Sequence, residues 1–148
     1  MTLLNRKMDY ALLILCYLHH KRGEGSSREI AAHFNLSRPF VANILKDLCH
    51  QEFVESSRGV HGGYHLSMDT ANATLADLMD ALDEPVKLAE CNQAKPEECC
   101  SHAATCPIRD PIAEVHHRLR SVLEGVRLTE IFGPDAQTVP VELELTRI

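Results

Sequence analysis

Tryptophan is absent from this 148-residue sequence, and aromatic residues make up only 5% of it. Any core must therefore be mainly aliphatic. No apolar run approaches the roughly 20 residues that a membrane helix needs. The longest, ALLILCYL at 11–18, follows Asp9, which is also wrong for a signal peptide. There is no Gly-rich phosphate loop, no His-Glu metalloprotease helix and no nucleophile with a visible base, so nothing points to an enzyme or to a small-molecule substrate. The paired C-x2-C chelate of zinc fingers and ribbons is missing as well. These absences predict a cytoplasmic protein with no membrane partner. In that compartment thiols stay reduced, so clustered cysteines favour metal binding or catalysis over structural disulfides.

What is present suffices for a folded unit. The length fits one domain with an appendage, and a hydrophobic content of 45% supports a real core. The net charge of −6 looks unsuited to a polyanion partner, but it is unevenly spread. Residues 1–66 carry +2, from 8 Lys/Arg and 6 Asp/Glu, whereas residues 67–148 carry −8, from 7 and 15. The first half can present a basic patch to nucleic acid, and the second cannot.

Three helices open the chain. In NRKMDYALLILCYLHH (5–20), Met8, Leu12, Leu15 and His19 share a face, flanked by Ala11, Cys16 and Leu18. SSREIAAHFN (26–35) has Ser26 or Ser27 as a cap and Ile30, Ala31 and Phe34 spaced to bury one side. LSRPFVANILKDLCHQ (36–51) offers Ser37 as its cap and Pro39 in the first turn, where a missing N–H costs nothing. The last two, joined by a tight turn, make a helix-turn-helix. At 100° per residue, Val41, Ile44, Leu45 and Leu48 of the third helix cluster on one side. Pro39, Asn43 and Lys46 lie opposite, with Phe40 and Ala42 on the flanks and Arg38 at the start. An exposed face of that kind suits either solvent or a major groove.

FVESSRGVHGGYHLS (53–67) then reads as two short strands around a Gly-containing loop, a wing with Arg58 at the start of its loop and His61 at its tip. ATLADLMDALDEP (73–85) is a helix with a Thr74–Asp77 capping box and Pro85 at its end. From Ile108 to Phe132 the pattern predicts one long helix. Ile108, Ile112, Val115, Leu119, Val122 and Val126 recur at spacings of 4, 3, 4, 3 and 4, a heptad seam that calls for a partner helix. A symmetric homodimer satisfies it. The expected fold is mainly α: a winged helix-turn-helix over 1–84 including a connecting helix, a cysteine-rich loop over 85–107, a dimerisation helix over 108–132 and a tail over 133–148.

Of six cysteines, Cys16 and Cys49 lie on helices and read as small apolar core residues. The other four stand in ECNQAKPEECCSHAATCP (90–107), a polar, acidic stretch that burial does not explain. Adjacent Cys99 and Cys100 cannot readily bind one atom in an unstrained loop, so one of them ligates. With Cys91 and Cys106 that leaves three thiolates, a set suited to an iron–sulfur cluster whose fourth ligand comes from elsewhere. His102 and an acidic side chain of another element are candidates. Disulfide switching between Cys99 or Cys100 and Cys106, and structural zinc, are the alternatives.

MDYALLIL, IAAHFNLSRPFVANILKDL, RGVHGGYHL, LADLMDALDEP and the AEC…CC…C pattern together resemble the cluster-sensing winged-helix repressors of the IscR, NsrR and RirA type, over about residues 3–132. The resemblance implies a homodimeric transcription regulator with a 2Fe–2S or 4Fe–4S cluster, crossed long helices at the dimer interface and palindromic double-stranded DNA operators. It implies thiolate ligands at Cys91, Cys100 and Cys106, with Cys100 preferred over Cys99 for its five-residue gap to Cys106. The IscR-type histidine three residues beyond the last cysteine is replaced by Arg109, which cannot ligate; Asp9 matches the aspartate that NsrR-type members donate from the other subunit. Ser37, Pro39, Phe40 and Ala42 match the base-reading region and Arg58 the wing arginine. Ala42 stands where some relatives carry an acidic residue, which implies a different operator preference.

Overall fold

The structure, a computed structural model, describes residues 4–59, 62–67, 70, 72–89, 100–102 and 104–133. Helix α1 (Arg6–Lys21) starts at Asn5, whose Oδ1 accepts a hydrogen bond from the Met8 N–H at 2.9 Å. Its buried stripe is Met8, Ala11, Ile14, Leu15 and Leu18. The face expected around Leu12 and His19 is therefore rotated toward Ile14, and Leu12 and His19 sit half-buried at its edges. Three neighbours share this stripe and set the rotation: α3, the wing and the C-terminal helix all pack on α1.

Helix α2 (Ser27–His33) is capped by Ser26, whose Oγ accepts from the Glu29 N–H. Helix α3 (Arg38–His50) follows and buries Val41, Ile44, Leu45 and Leu48, the face read from its periodicity. Ser37 occupies the N-cap of α3, but its side chain makes no capping bond. Helices α2 and α3 both stop in the same way. Asn35 and Glu52 adopt positive φ, and the next residues return N–H bonds to the third-last helical carbonyl, Leu36 to Ala31 at 2.8 Å and Phe53 to Leu48 at 2.9 Å. This closes the orphan carbonyls of each helix and turns the chain sharply without glycine.

Strands β1 (Val54–Ser56) and β2 (Tyr64–Leu66) pair antiparallel, with Val54 opposite Leu66 and Ser56 opposite Tyr64. A separate bridge is added by Gly25, between α1 and α2, which exchanges two 2.9 Å backbone bonds with Tyr64. At Gly25 a Cβ would lie 2.9 Å from Leu18 Cδ2, so a side chain there would require buried Leu18 to shift. Gly62 in the wing turn is more tightly constrained, since a Cβ would meet the Ser57 backbone carbonyl oxygen at 2.5 Å.

Helix α4 (Leu75–Ala81) carries the expected capping box: Asp77 N–H donates to Thr74 Oγ1, and Asp77 Oδ2 accepts from the Thr74 N–H at 2.8 Å. It stops before Pro85, because Asp83 turns to positive φ and Glu84 N–H closes on the Met79 carbonyl. The helix expected over 108–132 is two helices. Helix α5 (Arg109–Glu124) ends at Gly125, and α6 (Leu128–Phe132) follows. The intervening residues pair with the start of α4 instead of continuing the helix, with Leu75 N–H to Val126 O at 2.8 Å and Leu128 N–H to Ala73 O at 2.9 Å. Val126 therefore leaves the seam. Helix α6 then returns to α1, where the His20 Nε2–H donates to the Phe132 carbonyl at 2.9 Å and the rings of His19 and Phe132 lie 5.3 Å apart. Among the described residues, no helix is long and apolar enough to cross a membrane.

Leu15 is fully buried at the junction of these elements. Leu15→Ala is expected to lower unfolding free energy by about 2–5 kcal/mol, and Thr74→Ala by about 1 kcal/mol through loss of the capping box. Chemical denaturation of both variants beside the unaltered chain measures the two losses.

Candidate nucleic-acid interface and cysteine segment

With its apolar face buried, α3 presents Arg38, Pro39, Asn43 and Lys46 to solvent. Ser37 is exposed at the head of the helix. Phe40 is half-buried instead, its ring edge-on to Tyr10 at 5.2 Å. It braces α3 against α1 while leaving one edge outward. A Lys7–Asp47 ion pair at 2.9 Å ties the same two helices on the surface. The result is a helix held along one side, with two cations and an amide on the other.

The wing is anchored at its base. Ser57 Oγ–H donates to Glu24 at 2.6 Å and accepts from the Gly63 N–H, while Ser57 N–H donates to the Gly63 carbonyl at 2.9 Å. Arg58 follows directly and is exposed. The structure thus places Arg58 on a turn whose root is fixed to the α1–α2 connection. His61 lies outside the described residues.

Of the proposed cluster ligands, Cys91 lies outside the described residues, as does Cys99. Cys100 and Cys106 are half-buried free thiols on the turns that lead into α5. His102 is exposed between them. Asp9 is exposed in the first turn of α1. Among the described residues, no group of three or more His, Cys, Asp or Glu side chains converges closely enough to hold a metal ion. Cys16 and Cys49 are also half-buried free thiols, and burial pushes both up from their ordinary value, which favours the protonated form at neutral pH.

On the seam read from the sequence, Ile108, Val115 and Val122 are 63%, 45% and 65% exposed, an apolar stripe that the described residues leave bare. Sequence reasoning missed the pairing of Arg120, which forks onto both carboxylate oxygens of Asp80 in α4 and donates through Nε to Glu124 at 2.8 Å. The Arg120 guanidinium in turn holds the Asp80 carboxyl below its ordinary range. An Asp–Arg pair 40 positions apart leaves no signal in local periodicity.

A helix-turn-helix followed by a β-wing, with cations on the exposed sides of both, defines a winged-helix DNA-binding protein. The chain belongs to the Rrf2 family, whose model, described as an iron-dependent transcriptional regulator, matches residues 4–134. It is similar to the transcriptional regulator NsrR of Geobacillus kaustophilus, with 26% identity over 83% of this chain and 84% of that one. It is also similar to the transcriptional regulator IscR of Xenorhabdus nematophila, with 27% identity over 77% and 68%. Among solved structures it resembles CymR of Bacillus subtilis, described as the global cysteine regulator, with a TM-score of 0.65 and 24% identity over 89% of this chain and 97% of that one. The protein is thus a DNA-binding transcription regulator of a family whose members are regulators, not enzymes.

Mass-mapped alkylation at neutral pH checks the division among the thiols. Cys100 and Cys106 are expected to be modified at least about ten times faster than Cys16 and Cys49, whose burial withholds the thiolate.

Proposed function

We propose that the protein is a homodimeric repressor whose operator binding is governed by an iron–sulfur cluster, of 2Fe–2S or 4Fe–4S type. The observation that carries this reading is the placement of Cys100 and Cys106. Both are free, partly accessible thiols at the foot of α5, the helix whose apolar stripe lacks a partner among the described residues. The donor chemistry fits: thiolates from a polar surface segment, with Cys91 as the third, are the ligand class that such clusters take. Asp9 of a second copy would supply the fourth ligand, since it is exposed at the free start of α1; His102 is the alternative within the same segment. When bound, the cluster would supply a redox- and iron-sensitive link between ligands on different elements.

The chain's own residues do the remaining work. The seam of α5 (Ile108, Ile112, Val115, Leu119 and Val122) would pair with its copy and set the distance between two winged helices. Ser37, Arg38, Pro39, Phe40, Asn43 and Lys46 would face the major groove, and Arg58, with His61, the backbone or minor groove beside it. Half-site spacing is fixed by the duplex, so a small change in the separation of the reading heads changes affinity. A cluster-free regulator acting by thiol oxidation is the second reading, and the same two accessible thiols favour it over any enzyme.

Two measurements test this. After anaerobic reconstitution, the unaltered chain is expected to be coloured, with about one cluster per chain. Cys100→Ala and Cys106→Ala should each abolish the colour and the iron dependence of operator binding. Colourless protein whose DNA affinity instead follows reversible disulfide formation would replace the cluster reading with the second. On the DNA side, Arg58→Ala is expected to weaken binding uniformly across sequences and to reduce the slope of log affinity against log salt by about one.

A further inference from the structure

We infer that Glu24, on the α1–α2 connection, is a positioning residue for Arg58, and that its carboxylate raises DNA affinity although it carries the same sign of charge as the phosphates. The inference rests on the reading above in which Arg58 contacts the DNA backbone. Glu24 and Ser57 stand 33 positions apart, and the Ser57 Oγ–H donates to the Glu24 carboxylate at 2.6 Å. That is the length of a hydroxyl bond to an ionised acceptor, which is roughly twice as strong as one between neutral groups.

Backbone contacts fix both ends of this bond. On one side, Gly25 is buried next to Glu24 and exchanges two 2.9 Å bonds with Tyr64. The wing comes so close there that a Cβ on Gly63 would lie 3.1 Å from the Gly25 carbonyl and 3.3 Å from Glu24 Cβ. On the other side, the Ser57 N–H donates to the Gly63 carbonyl at 2.9 Å, and Ser57 Oγ accepts from the Gly63 N–H at 3.2 Å. One hydroxyl thus joins the α1–α2 connection, the residue after β1 and the residue before β2. Its single proton goes to Glu24, and a lone pair takes the Gly63 N–H. Arg58 is the next residue and is exposed, so the direction in which its side chain leaves the wing follows from Ser57.

Two effects of Glu24 oppose each other. As a charge bonded to the neighbour of Arg58, it repels phosphate. As an acceptor, it fixes the residue from which Arg58 springs. A long side chain that binds a phosphate gives up its conformational freedom, and a preset root lowers that cost. Glu24 is exposed, and water and salt screen its repulsion within about 10 Å at about 0.1 M salt. The positioning effect therefore prevails.

The test measures affinity across a salt series for the duplex that the unaltered full-length chain selects from a random pool. The chain is used in whichever state, as isolated or anaerobically reconstituted, binds that duplex more tightly. Glu24→Ala is expected to weaken binding at least about threefold and to reduce the slope of log affinity against log salt by about one, as Arg58→Ala does. Combined with Arg58→Ala it should add less than about twofold, because both changes remove one contact. Glu24→Gln keeps an oxygen for Ser57 without the charge; it should hold the full slope and bind at least as tightly as the unaltered chain. Ser57→Ala removes the hydroxyl instead and should match Glu24→Ala, so the reading does not hang on one variant. Glu55→Ala is the charge control, since that carboxylate lies beside His65 on the wing; it should not weaken binding. Glu24→Ala that binds as tightly as the unaltered chain, or tighter, at unchanged slope would overturn the inference and leave the Arg58 contact standing. So would a loss that adds in full to that of Arg58→Ala, or one that Glu24→Gln fails to restore. Unchanged affinity and slope in Arg58→Ala would overturn the contact itself and the inference with it.

Discussion

Helix α1 can bury only one stripe, and three parts of the molecule compete for it. Helix α3 takes one flank, β2 another, and α6 comes back from the far end of the chain to close on its last turn. Because α3 must spend Val41, Ile44, Leu45 and Leu48 on this contact, its other side is left to polar residues. The reading face is thus the complement of a packing requirement. The wing obeys the same constraint: Tyr64 pairs with Gly25 at the end of the α1–α2 connection, so the position of Arg58 is set by where α1 stops.

Much of this was legible in the sequence because it is local. The apolar face of α3, the capping box at Thr74 and the strand pair around the wing glycines follow from spacing and residue type within a dozen residues. What escaped was decided elsewhere in the chain. The rotation of the α1 face toward Ile14 reflects three neighbours that one helix's periodicity does not reveal. The stops at Asn35 and Glu52 use positive φ at residues other than glycine, so no breaker marks them, and α4 turns at Asp83, ahead of the Pro85 that the sequence offers. The spacing of Ile108 to Val126 runs on evenly through Gly125, but pairing with Ala73 and Leu75 outweighs continuation of the helix. The cysteine pattern named a chemistry and a segment. Cys91, Cys99 and His61 lie outside the described residues, and under the proposed reading Asp9 would reach the thiols only from a second copy, so one chain would not display such a site whole.

The charge distribution separates the two tasks. The basic excess lies before residue 67 and the acidic excess after it. A segment carrying the cysteines among glutamates cannot itself approach a phosphate backbone without repulsion. Any influence of that segment on an operator has to pass through packed elements: α5, its junction with α4, and α6 where it closes on α1. Under the proposed reading, sensing by this route would be mechanical and would require a stiff connection between the two halves.

The energetics of the bare stripe indicate why a ligand across copies would matter. Covering a half-exposed valine or isoleucine contributes about 1 kcal/mol, so Ile108, Val115 and Val122 from two copies contribute about 6 kcal/mol under the dimeric reading. Association costs about 4 kcal/mol at the least and can cost more than twice that. The seam alone therefore leaves the pair near balance. Ligands drawn from both copies, thiolates from one and Asp9 from the other, would add a cross-link where the apolar contact is barely sufficient. On that arithmetic, loss of the cross-link acts on the geometry of the pair as well as on the segment that held it.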